Sequence, residues 1–232
     1  MNSLSHMNSL SNSKLFVIIP AHDEEGGIKQ VIQGVKKYTN NIIVVDDGSS
    51  DRTYQKSKMS ADDIVVLRHK INLGKGAAMK TGCEAAIKLG AEIIIAIDAD
   101  GQHDPDDIPK LLKELTDKNL DIVFGSRNLS RNVPLVRAWG NKITTMAVRI
   151  LSGISLKDVL SGFRIFTTAA YKKIVWQSQD YSVEVEMIIN AGKNKLRYGE
   201  VPIQTIYNDK YKGMDIINGF KILIKAFIFK FS

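Results

Sequence analysis

Short runs of apolar residues alternate with longer amphipathic segments along most of the chain. Leu15–Ile19 and Ile42–Val45 are typical of strands that are buried on both faces of a parallel sheet. Between them, the segment from Ile28 to Tyr38 has apolar residues at the i, i+3, i+4, i+7 spacing of an amphipathic helix. The later strands are predicted at 64–67, 93–97 and 121–125, and the later helices at 77–89, 105–118, 137–151 and 168–176. This alternation predicts one doubly wound α/β domain with a mostly parallel central sheet and helices on both faces.

The two ends of the chain differ from this central pattern. Residues 1–13 are rich in Ser and Asn and lack an apolar signal core, so we interpret them as a disordered leader before a domain at 14–212. Residues 213–232 interleave Lys with Phe and Ile, which predicts an amphipathic helix. This helix either docks on the domain or lies at a membrane interface. No stretch is long and apolar enough to predict a membrane span.

Charge and cysteine content narrow the choice of partner and exclude some kinds of site. The 32 Lys and Arg residues outnumber the 25 Asp and Glu residues, which gives a net charge of +7 and favours anionic partners. Nucleotides, phosphorylated substrates, nucleic acid and an acidic membrane surface all satisfy that preference. Cys83 is the single cysteine, which excludes a disulfide framework and a zinc site built from cysteines.

Carboxylates follow the most apolar of the predicted strands. Asp98 and Asp100 come directly after the run at 93–97, and they point the same way if strand geometry continues through them. Mg²⁺ typically takes one or two carboxylates together with substrate phosphates, so this pair indicates a metal–nucleotide site. A polar turn after a strand is the plainer alternative.

Acidic or polar clusters end three of the predicted strands, at 20–25, 46–51 and 98–102. In an open α/β sheet these strand ends gather on one side, where ligands bind. Such a crevice would repel a bare diphosphate, and a metal ion removes that objection. Carboxylates away from the metal can accept hydrogen bonds from a base or a ribose.

Six motifs occur together in order along the chain. They are Val17–Glu25 (VIIPAHDEE), Val44–Asp51 (VVDDGSSD), Asn72–Gly76 (NLGKG), Asp98–His103 (DADGQH), Gly125–Arg127 (GSR) and Ser161–Arg164 (SGFR). The set resembles the inverting GT-A glycosyltransferases, in the branch of dolichyl- or polyprenyl-phosphate mannose or glucose synthases, over residues 15–207. The resemblance implies a GT-A fold, the Rossmann-like fold of nucleotide-diphospho-sugar transferases. It also implies a metal-dependent inverting transfer of a hexose to a lipid phosphate.

The resemblance assigns roles to individual residues. The implied donor-binding residues are Pro20, His22, Glu24, Val45, Asp46, Asp47, Asp98 and Ala99. Mg²⁺ or Mn²⁺ would be held by Asp98, Asp100 and Gln102. The resemblance implies roles in catalysis or at the acceptor for Asp100, Arg127, Arg137 and Asp158.

The chain departs from the family pattern in the loop after Val201–Ile203. Many mannose synthases of this branch have an Arg where Asn208 stands here, and Lys210 or Lys212 would replace it as the contact to the diphosphate. Lys is not equivalent to Arg at a bidentate site, so GDP-mannose and UDP-glucose, or another UDP-sugar, all stay open as donors.

The implied acceptor determines which residues matter most. A phosphate monoester has a second pKa of about 6 and is already an anion, so basic residues should matter more than a general base. Arg127, Arg137, Lys142 and Arg164 are candidates for such a phosphate cradle. Asp158 would then orient an arginine. If the acceptor is instead a hydroxyl of a glycan or lipid, Asp158 would be the base, and a non-catalytic nucleotide-sugar-binding module is a third alternative.

The implied partners are a nucleotide diphosphate sugar, a polyprenyl or dolichyl phosphate and a membrane surface, with no nucleic acid. We therefore expect a peripheral protein at the cytoplasmic face of a membrane. Four further residues have plainer interpretations. His103 is expected beside the metal ligands rather than among them, Asp51 to cap a turn, Glu184 to begin a helix, and Lys75 to assist at a tight turn.

Overall fold

A seven-stranded mixed sheet forms the centre of the molecule. The computed structural model describes residues 14–127, 135–206 and 225–230, with backbone alone for 135–142. The strands are β1 (Leu15–Ala21), β2 (Ile42–Asp46), β3 (Val65–Arg68), β4 (Ile93–Ala96), β5 (Ile122–Arg127), β6 (Arg164–Thr167) and β7 (Tyr198–Ile203). Their order across the sheet is β3-β2-β1-β4-β6-β5-β7.

Helices cover both faces of this sheet, as predicted. They are α1 (Ile28–Lys36), α2 (Thr53–Ser60), α3 (Lys75–Lys88), α4 (Ile108–Asp117), α5 (Leu135–Ser152), α6 (Thr168–Ile174) and α7 (Val183–Lys193), with a 3-10 turn at Pro105–Asp107. Neighbouring strand residues enter separate cores: Ile18 packs in one with Met79 of α3, and Ile19 packs in the other with Ile32 of α1. Because successive strand side chains point to opposite faces, continuous apolar runs are required here.

Parallel pairing brings the predicted polar clusters together at the carboxyl ends of the strands. Strand β1 pairs in parallel with β2 on one side and with β4 on the other, with Ile18 aligned to both Ile43 and Ala96. The carboxyl ends of these three strands therefore lie next to one another. The expected gathering of the segments that follow Ala21, Asp46 and Ala96 is confirmed.

Strand β6 is the main difference from the predicted sheet. It runs antiparallel to both β4 and β5 and separates them, with Ile165 aligned to Ile95 and to Val123. The sequence gives little sign of it because the strand is short and begins at a charged residue, Arg164. The sheet is thus mostly parallel with one antiparallel strand inserted near its centre.

Two further elements differ from the prediction. Helix α2 was not predicted, since its sequence TYQKSKMS has no apolar stripe and its buried residues are Thr53 and Ser57. Strand β4 ends at Ala96, so strand geometry does not continue to Asp98 and Asp100, and Gly101 has a positive φ of 74°. The segment 196–206 is predicted as a late strand that Pro202 restricts to a sheet edge or a bulge. It contains β7, which does lie at an edge of the sheet.

The described part of the C-terminus packs on the domain. Residues 225–230 are helical, with Ala226 buried in the core and Phe229 packed against it. Nζ of Lys225 lies 2.6 Å from Oδ2 of Asp180. The predicted leader at 1–13 and the loop residues Asn208, Lys210 and Lys212 lie outside the described residues. Within the described ranges, every helix is too short or too polar to cross a membrane.

Candidate active site

The loops after β1 and β2 are tied together by hydrogen bonds. Nδ1 of His22 lies 2.9 Å from the carbonyl oxygen of Asp47, and the backbone N–H of Glu24 donates to Oγ1 of Thr53 at 2.8 Å. Pro20 is aligned with Val45 in the sheet. The structure therefore brings the two predicted donor-binding segments next to each other. His22 is exposed and Glu24 is half-buried, whereas the side chains of Val45 and Asp46 are buried.

Asp46 ends β2 as a fully buried carboxylate beside a cation. Nε of Arg68 lies 2.9 Å from Oδ2 of Asp46, and the Arg68 guanidinium sits over the ring of Tyr54, 4.8 Å from its centroid. A cavity adjoins this pair. It is lined by Gly48, Ser49, Arg68, His69 and Lys70. The sequence alone does not identify Arg68 as a candidate site residue, because only the folded structure shows that it lies beside Asp46.

Asp47 anchors the loop that precedes α3. Its carboxylate accepts hydrogen bonds from the backbone N–H groups of Leu73, at 3.0 Å, and Gly74, at 2.7 Å. Nδ1 of His69 lies 2.6 Å from Oδ1 of the same carboxylate. Gly74 has a φ of 95°, a conformation that favours glycine. Because its oxygens are engaged in this way, Asp47 holds the loop before α3 in place.

Asp98 is a partly buried carboxylate that pairs with a cation. Nζ of Lys75 lies 2.6 Å from Oδ1 of Asp98, and Nε2 of His103 lies 3.5 Å from Oδ2. Burial alone would raise the pKa of Asp98, but Lys75 and His103 outweigh it and hold that pKa well below its usual range. His103 is itself buried and pairs in an isolated bridge with Thr205, so it supports Asp98 from behind, as the sequence indicates.

Asp100 lies close enough to Asp98 for the two carboxylates to repel each other. Burial, followed by the negative charge of Asp98, raises the pKa of Asp100. Oδ1 of Asp100 accepts a hydrogen bond from the backbone N–H of Gln102 at 2.9 Å, and the carbonyl of Gln102 accepts one from Ile206 at 2.9 Å. The turn after β4 therefore brings the two carboxylates together although the strand has already ended.

Glycines allow other segments to approach this turn. A Cβ atom on Gly27 would lie 2.7 Å from the carbonyl oxygen of Ala99, and one on Gly162 would lie 2.6 Å from Cγ of Asp98. Real Cβ atoms do not approach other heavy atoms so closely. Gly162 belongs to the predicted SGFR motif, so the structure gives that motif a steric reason to carry glycine.

Lys75 links the turn after β4 to helix α7. Its ammonium lies 2.7 Å from Oε1 of Glu184 in the first turn of α7, in addition to its contact with Asp98. The two acidic partners outweigh the effect of burial and raise the pKa of Lys75, so the ammonium stays charged. Glu184 does open a helix, as predicted, but its partnership with Lys75 was missed because the two residues are distant in sequence.

The end of β5 carries a bidentate ion pair. Nε of Arg127 lies 2.7 Å from Oδ2 of Asp158, and Nη2 donates to Oδ1 at 3.1 Å. The Asp158 side chain is fully buried, whereas that of Arg127 is 18% exposed. Of the other predicted cradle residues, Arg137 and Lys142 lie in α5, and their side chains lie outside what the structure describes.

Arg164 is predicted to belong to an exposed phosphate cradle, but the structure buries its guanidinium. It is buried in the core at 1% exposure, where Nη1 donates to the carbonyl of Glu184 at 3.3 Å and the guanidinium lies over the ring of Phe124. Burial lowers the pKa of Arg164. Its place in the middle of the sheet follows from the antiparallel strand β6, which the sequence did not predict.

Residues 16–177 match the family model described as glycosyl transferase family 2. The chain belongs to glycosyltransferase family 2. It is therefore a glycosyltransferase, and the GT-A fold and the family resemblance expected from its motifs are confirmed.

Several named proteins resemble this family 2 glycosyltransferase. The UDP-N-acetylglucosamine–dolichyl-phosphate N-acetylglucosaminyltransferase of Methanococcus voltae is 35% identical, over 95% of this chain and 98% of the relative. The polyprenol monophosphomannose synthase of Mycolicibacterium smegmatis is 28% identical, over 90% of this chain and 83% of the relative. The crystal structure of glucosyl-3-phosphoglycerate synthase from Mycobacterium tuberculosis with Mn²⁺, UDP-glucose and phosphoglyceric acid has a TM-score of 0.76 at 20% identity. It covers 99% of this chain and 84% of that one, and it shows the shared fold.

The carboxylates of this glycosyltransferase fit a divalent cation that also takes ligands from a substrate. Among the described residues, no group of three or more His, Cys, Asp or Glu side chains is arranged to hold a metal ion by itself. Asp98 and Asp100 supply two carboxylates, which is the donor set that Mg²⁺ uses together with phosphates and water. The Lys75 ammonium on Asp98 shows that this carboxylate already accepts a positive charge.

Asp51 has the local role that its sequence context suggests. Its carboxylate accepts hydrogen bonds from the backbone N–H groups of Thr53 at 2.8 Å and Glu25 at 3.0 Å, at the start of α2. It thus fastens the loop after β1 to the loop after β2 in this glycosyltransferase.

Proposed function

We propose that this glycosyltransferase moves a hexose, with inversion, from a nucleotide diphosphate sugar to a dolichyl or polyprenyl phosphate. The observation that carries the proposal is the Arg127–Asp158 pair, in which the carboxylate predicted as orienter or base is buried and bonded to an arginine. The names of the Methanococcus and Mycolicibacterium relatives support a lipid phosphate as the acceptor.

The proposed chemistry places the donor and the acceptor on opposite sides of the turn after β4. Asp98 and Asp100, with Gln102, would hold Mg²⁺ or Mn²⁺, which would supply positive charge to the diphosphate leaving group. Solved relatives of this fold that contain Mn²⁺ or Mg²⁺ with UDP support that role. Pro20, His22, Glu24, Val45 and Asp46 would bind the base and the ribose.

The acceptor side is proposed to work without a general base. A phosphate monoester has a second pKa of about 6, so its oxygen is already an anion near pH 7. The Arg127 guanidinium, oriented by Asp158, would position that phosphate for in-line attack on the anomeric carbon. The carbon–oxygen bond to the diphosphate breaks as the new bond forms on the opposite face. Arg137 is proposed as a second phosphate contact, and Lys210 as a contact to the leaving diphosphate.

A UDP-sugar is the donor that we favour over GDP-mannose. The Methanococcus relative is named for a UDP-sugar, and Asn208 stands where many mannose synthases of this branch carry an arginine. UDP-glucose and UDP-N-acetylglucosamine are the sugars to compare first. Transfer of N-acetylglucosamine would extend the expected range of mannose and glucose.

Thermal shift and a transfer assay together test this function. Mn²⁺ with UDP, GDP or their sugars is added to the protein, and a ligand at 100 times its Kd should add about 2.7 kcal/mol of stability. We expect the larger shift with the UDP series. Transfer of a radiolabelled sugar from the ligand that binds to polyprenyl phosphate then tests the reaction.

Two variants separate the proposed site from general damage. Asp100→Ala should abolish transfer while leaving the circular dichroism spectrum unchanged, since the variant removes a metal-binding carboxylate. Asp62→Ala removes an exposed carboxylate outside the site and should transfer normally. Normal turnover by Asp100→Ala would refute the assignment of the site.

We also propose peripheral association with the cytoplasmic face of a membrane. Helix α5 buries Thr144, Val148 and Ser152 toward the domain. Its opposite side exposes Ile143 at 54%, Met146 at 65% and Ile150 at 72%. An exposed apolar stripe on a helix, followed by a terminal segment with exposed Phe227 and Ile228, suits the boundary region of a lipid bilayer. This proposal extends the predicted membrane contact from residues 213–232 to α5.

A further inference from the structure

We propose that Glu184 is a positioning residue for metal binding, because it shares the Lys75 ammonium with Asp98 and takes it over when Asp98 binds a divalent cation. This inference rests on the proposed function, in which Asp98 and Asp100 hold the cation. It assigns to the start of α7 a part in loading the donor site.

The ammonium is divided almost equally between two carboxylates. Nζ of Lys75 lies 2.6 Å from Oδ1 of Asp98 and 2.7 Å from Oε1 of Glu184. The side chains of Lys75 and Glu184 are 14% and 4% exposed, so water screens these contacts poorly. Lys75 is therefore a bound positive charge that competes for the carboxylate proposed as a metal ligand.

Glu184 has spare capacity to accept this charge. Its Oε2 atom is buried and has no hydrogen-bond partner among the described residues, although a carboxylate can accept several hydrogen bonds. A small movement of the lysine head group would bring it onto both oxygens of Glu184. Such a movement keeps the buried ammonium paired while it frees Asp98, and an unpaired buried charge would be costly.

The backbone around Lys75 is fixed, so the side chain alone can make this exchange. The N–H of Gly76 donates to the carbonyl of Gln179 at 2.6 Å, and Nε1 of Trp176 donates to the carbonyl of Gly76 at 2.8 Å. A Cβ on Gly76 would lie 2.9 Å from the carbonyl carbon of Ser178, so α3 cannot approach that loop with any other residue. The start of α3 is thus clamped against the segment that leads into α7, which keeps Lys75 within reach of both acids.

Glu184→Gln removes the alternative partner and leaves Lys75 on Asp98 alone. Binding of Mn²⁺ to the free protein, followed by electron paramagnetic resonance, should weaken by about 10-fold, which corresponds to about 1.4 kcal/mol. Asp121→Asn is the control, since it also removes one negative charge. Asp121 lies at the amino end of β5, where it pairs with Arg197. The control should change Mn²⁺ affinity less than 2-fold, within the usual spread for a remote site of about 0.4 kcal/mol.

The Lys75→Met background distinguishes positioning through Lys75 from a general loss of negative charge. If Glu184 acts through Lys75, Glu184→Gln should change Mn²⁺ affinity less than about 2-fold in that background. Equal weakening in both backgrounds would overturn the proposal. The Lys75→Met, Glu184→Gln double variant leaves the net charge unchanged, because it removes one positive and one negative side chain of the buried pair. It keeps the test available if a single variant fails to fold. It should bind Mn²⁺ at least as tightly as the wild type, and weaker binding by the double variant would also overturn the proposal.

The wild type and Asp100→Ala separate this inference from the proposed function. If Asp100→Ala loses Mn²⁺ binding but Glu184→Gln does not weaken it, the metal site stands and the role of Glu184 is refuted. If the wild type binds no Mn²⁺, or Asp100→Ala binds it as well as the wild type, the metal site fails and the role of Glu184 fails with it.

Discussion

Arg127 and Asp158 form a two-pronged ion pair in which the carboxylate is fully buried and the guanidinium reaches the surface. The backbone N–H of Arg127 also donates to Oδ2 of Asp158, at 3.3 Å, and the N–H of Leu160 donates to Oδ1, at 3.1 Å. The carboxylate therefore fixes both the guanidinium and the loop around it. A group engaged in this way is suited to orient an arginine and poorly suited to remove a proton from an acceptor.

Arg127→Lys should impair use of the acceptor and spare the donor. Lys cannot reproduce the bidentate pair, so kcat/KM for the lipid phosphate should fall by about 10- to 100-fold, or about 1.4–2.8 kcal/mol. The thermal shift with donor and Mn²⁺ should match that of the wild type. Arg197→Lys is a matched control, because Arg197 forms the same two-pronged pair with Asp121 away from the site. An equal loss of activity in both variants would contradict the assignment of Arg127.

Asp100→Asn should stabilise the metal-free protein while it prevents metal binding. Burial and then the charge of Asp98 raise the pKa of Asp100, so the ionised group destabilises the folded state at neutral pH. That cost is present above the unfolded-state pKa of about 3.9 and disappears as the pH falls below it.

Thermal unfolding without metal checks this prediction. At pH 8 a gain of order 1 kcal/mol would raise the midpoint of the Asp100→Asn variant by about 2–4 °C. The difference from the wild type should shrink toward pH 4. Asp62→Asn should leave the midpoint nearly unchanged at both pH values. A lower midpoint for Asp100→Asn at pH 8 would show that the repulsion between the two carboxylates is not a significant cost.

Gly162→Ala should displace the Asp98 carboxylate. The new Cβ would lie 2.6 Å from Cγ of Asp98, and a displacement of about 1 Å in a site can cost about 100-fold in rate. We expect at least a 10-fold loss of sugar transfer with little change in the circular dichroism spectrum. At Gly26 a new Cβ meets nothing within 4 Å, so Gly26→Ala should transfer normally. Unchanged transfer by Gly162→Ala would mean that the Asp98 position tolerates movement.

The exposed stripe on α5 should contribute to membrane binding. Replacing Met146 and Ile150 by Ser removes apolar side chains that could enter the bilayer boundary, and each fully buried side chain of this kind is worth about 1.5–3 kcal/mol. Co-sedimentation with vesicles containing anionic lipid should fall by at least 10-fold. Met59 and Leu89, 86% and 54% exposed, provide the matched Ser double variant, which should bind like the wild type.

Equal vesicle binding by the two double variants would exclude α5 as the docking surface. The same assay on a chain without residues 216–232 measures the contribution of the terminus. Because Ala226 is buried in the core, that truncation must be checked for folding first.

The strand pattern predicted which polar segments lie next to one another, because parallel strands bring their carboxyl ends together. The expected neighbours His22, Asp46 and Asp98 follow from the order of β2, β1 and β4 alone. The partners of these residues could not be predicted in the same way. Arg68 on Asp46 and Glu184 on Lys75 depend on packing between elements that are far apart in sequence.

Helix α2 and strand β6 could not be predicted from the hydrophobic pattern, because polar or charged residues occupy their buried positions. Helix α2 buries Thr53 and Ser57 where the periodicity argument looks for apolar residues. Strand β6 begins with Arg164, which the sequence places among surface cations, whereas the structure buries it. Asp98 and Asp100 come together through a turn rather than a strand, so the predicted pair is correct while the geometric reason for it was wrong.

The central position of β6 has a consequence for how the molecule folds. Strands β4 and β5 are not paired with each other, and each meets β6, which lies almost forty residues after β5 in the chain. A nascent chain that ends after Arg127 therefore has strands β1 to β5 but lacks β6, which joins β5 to β4. We therefore expect the strands on the two sides of β6 to fold together rather than as separate modules.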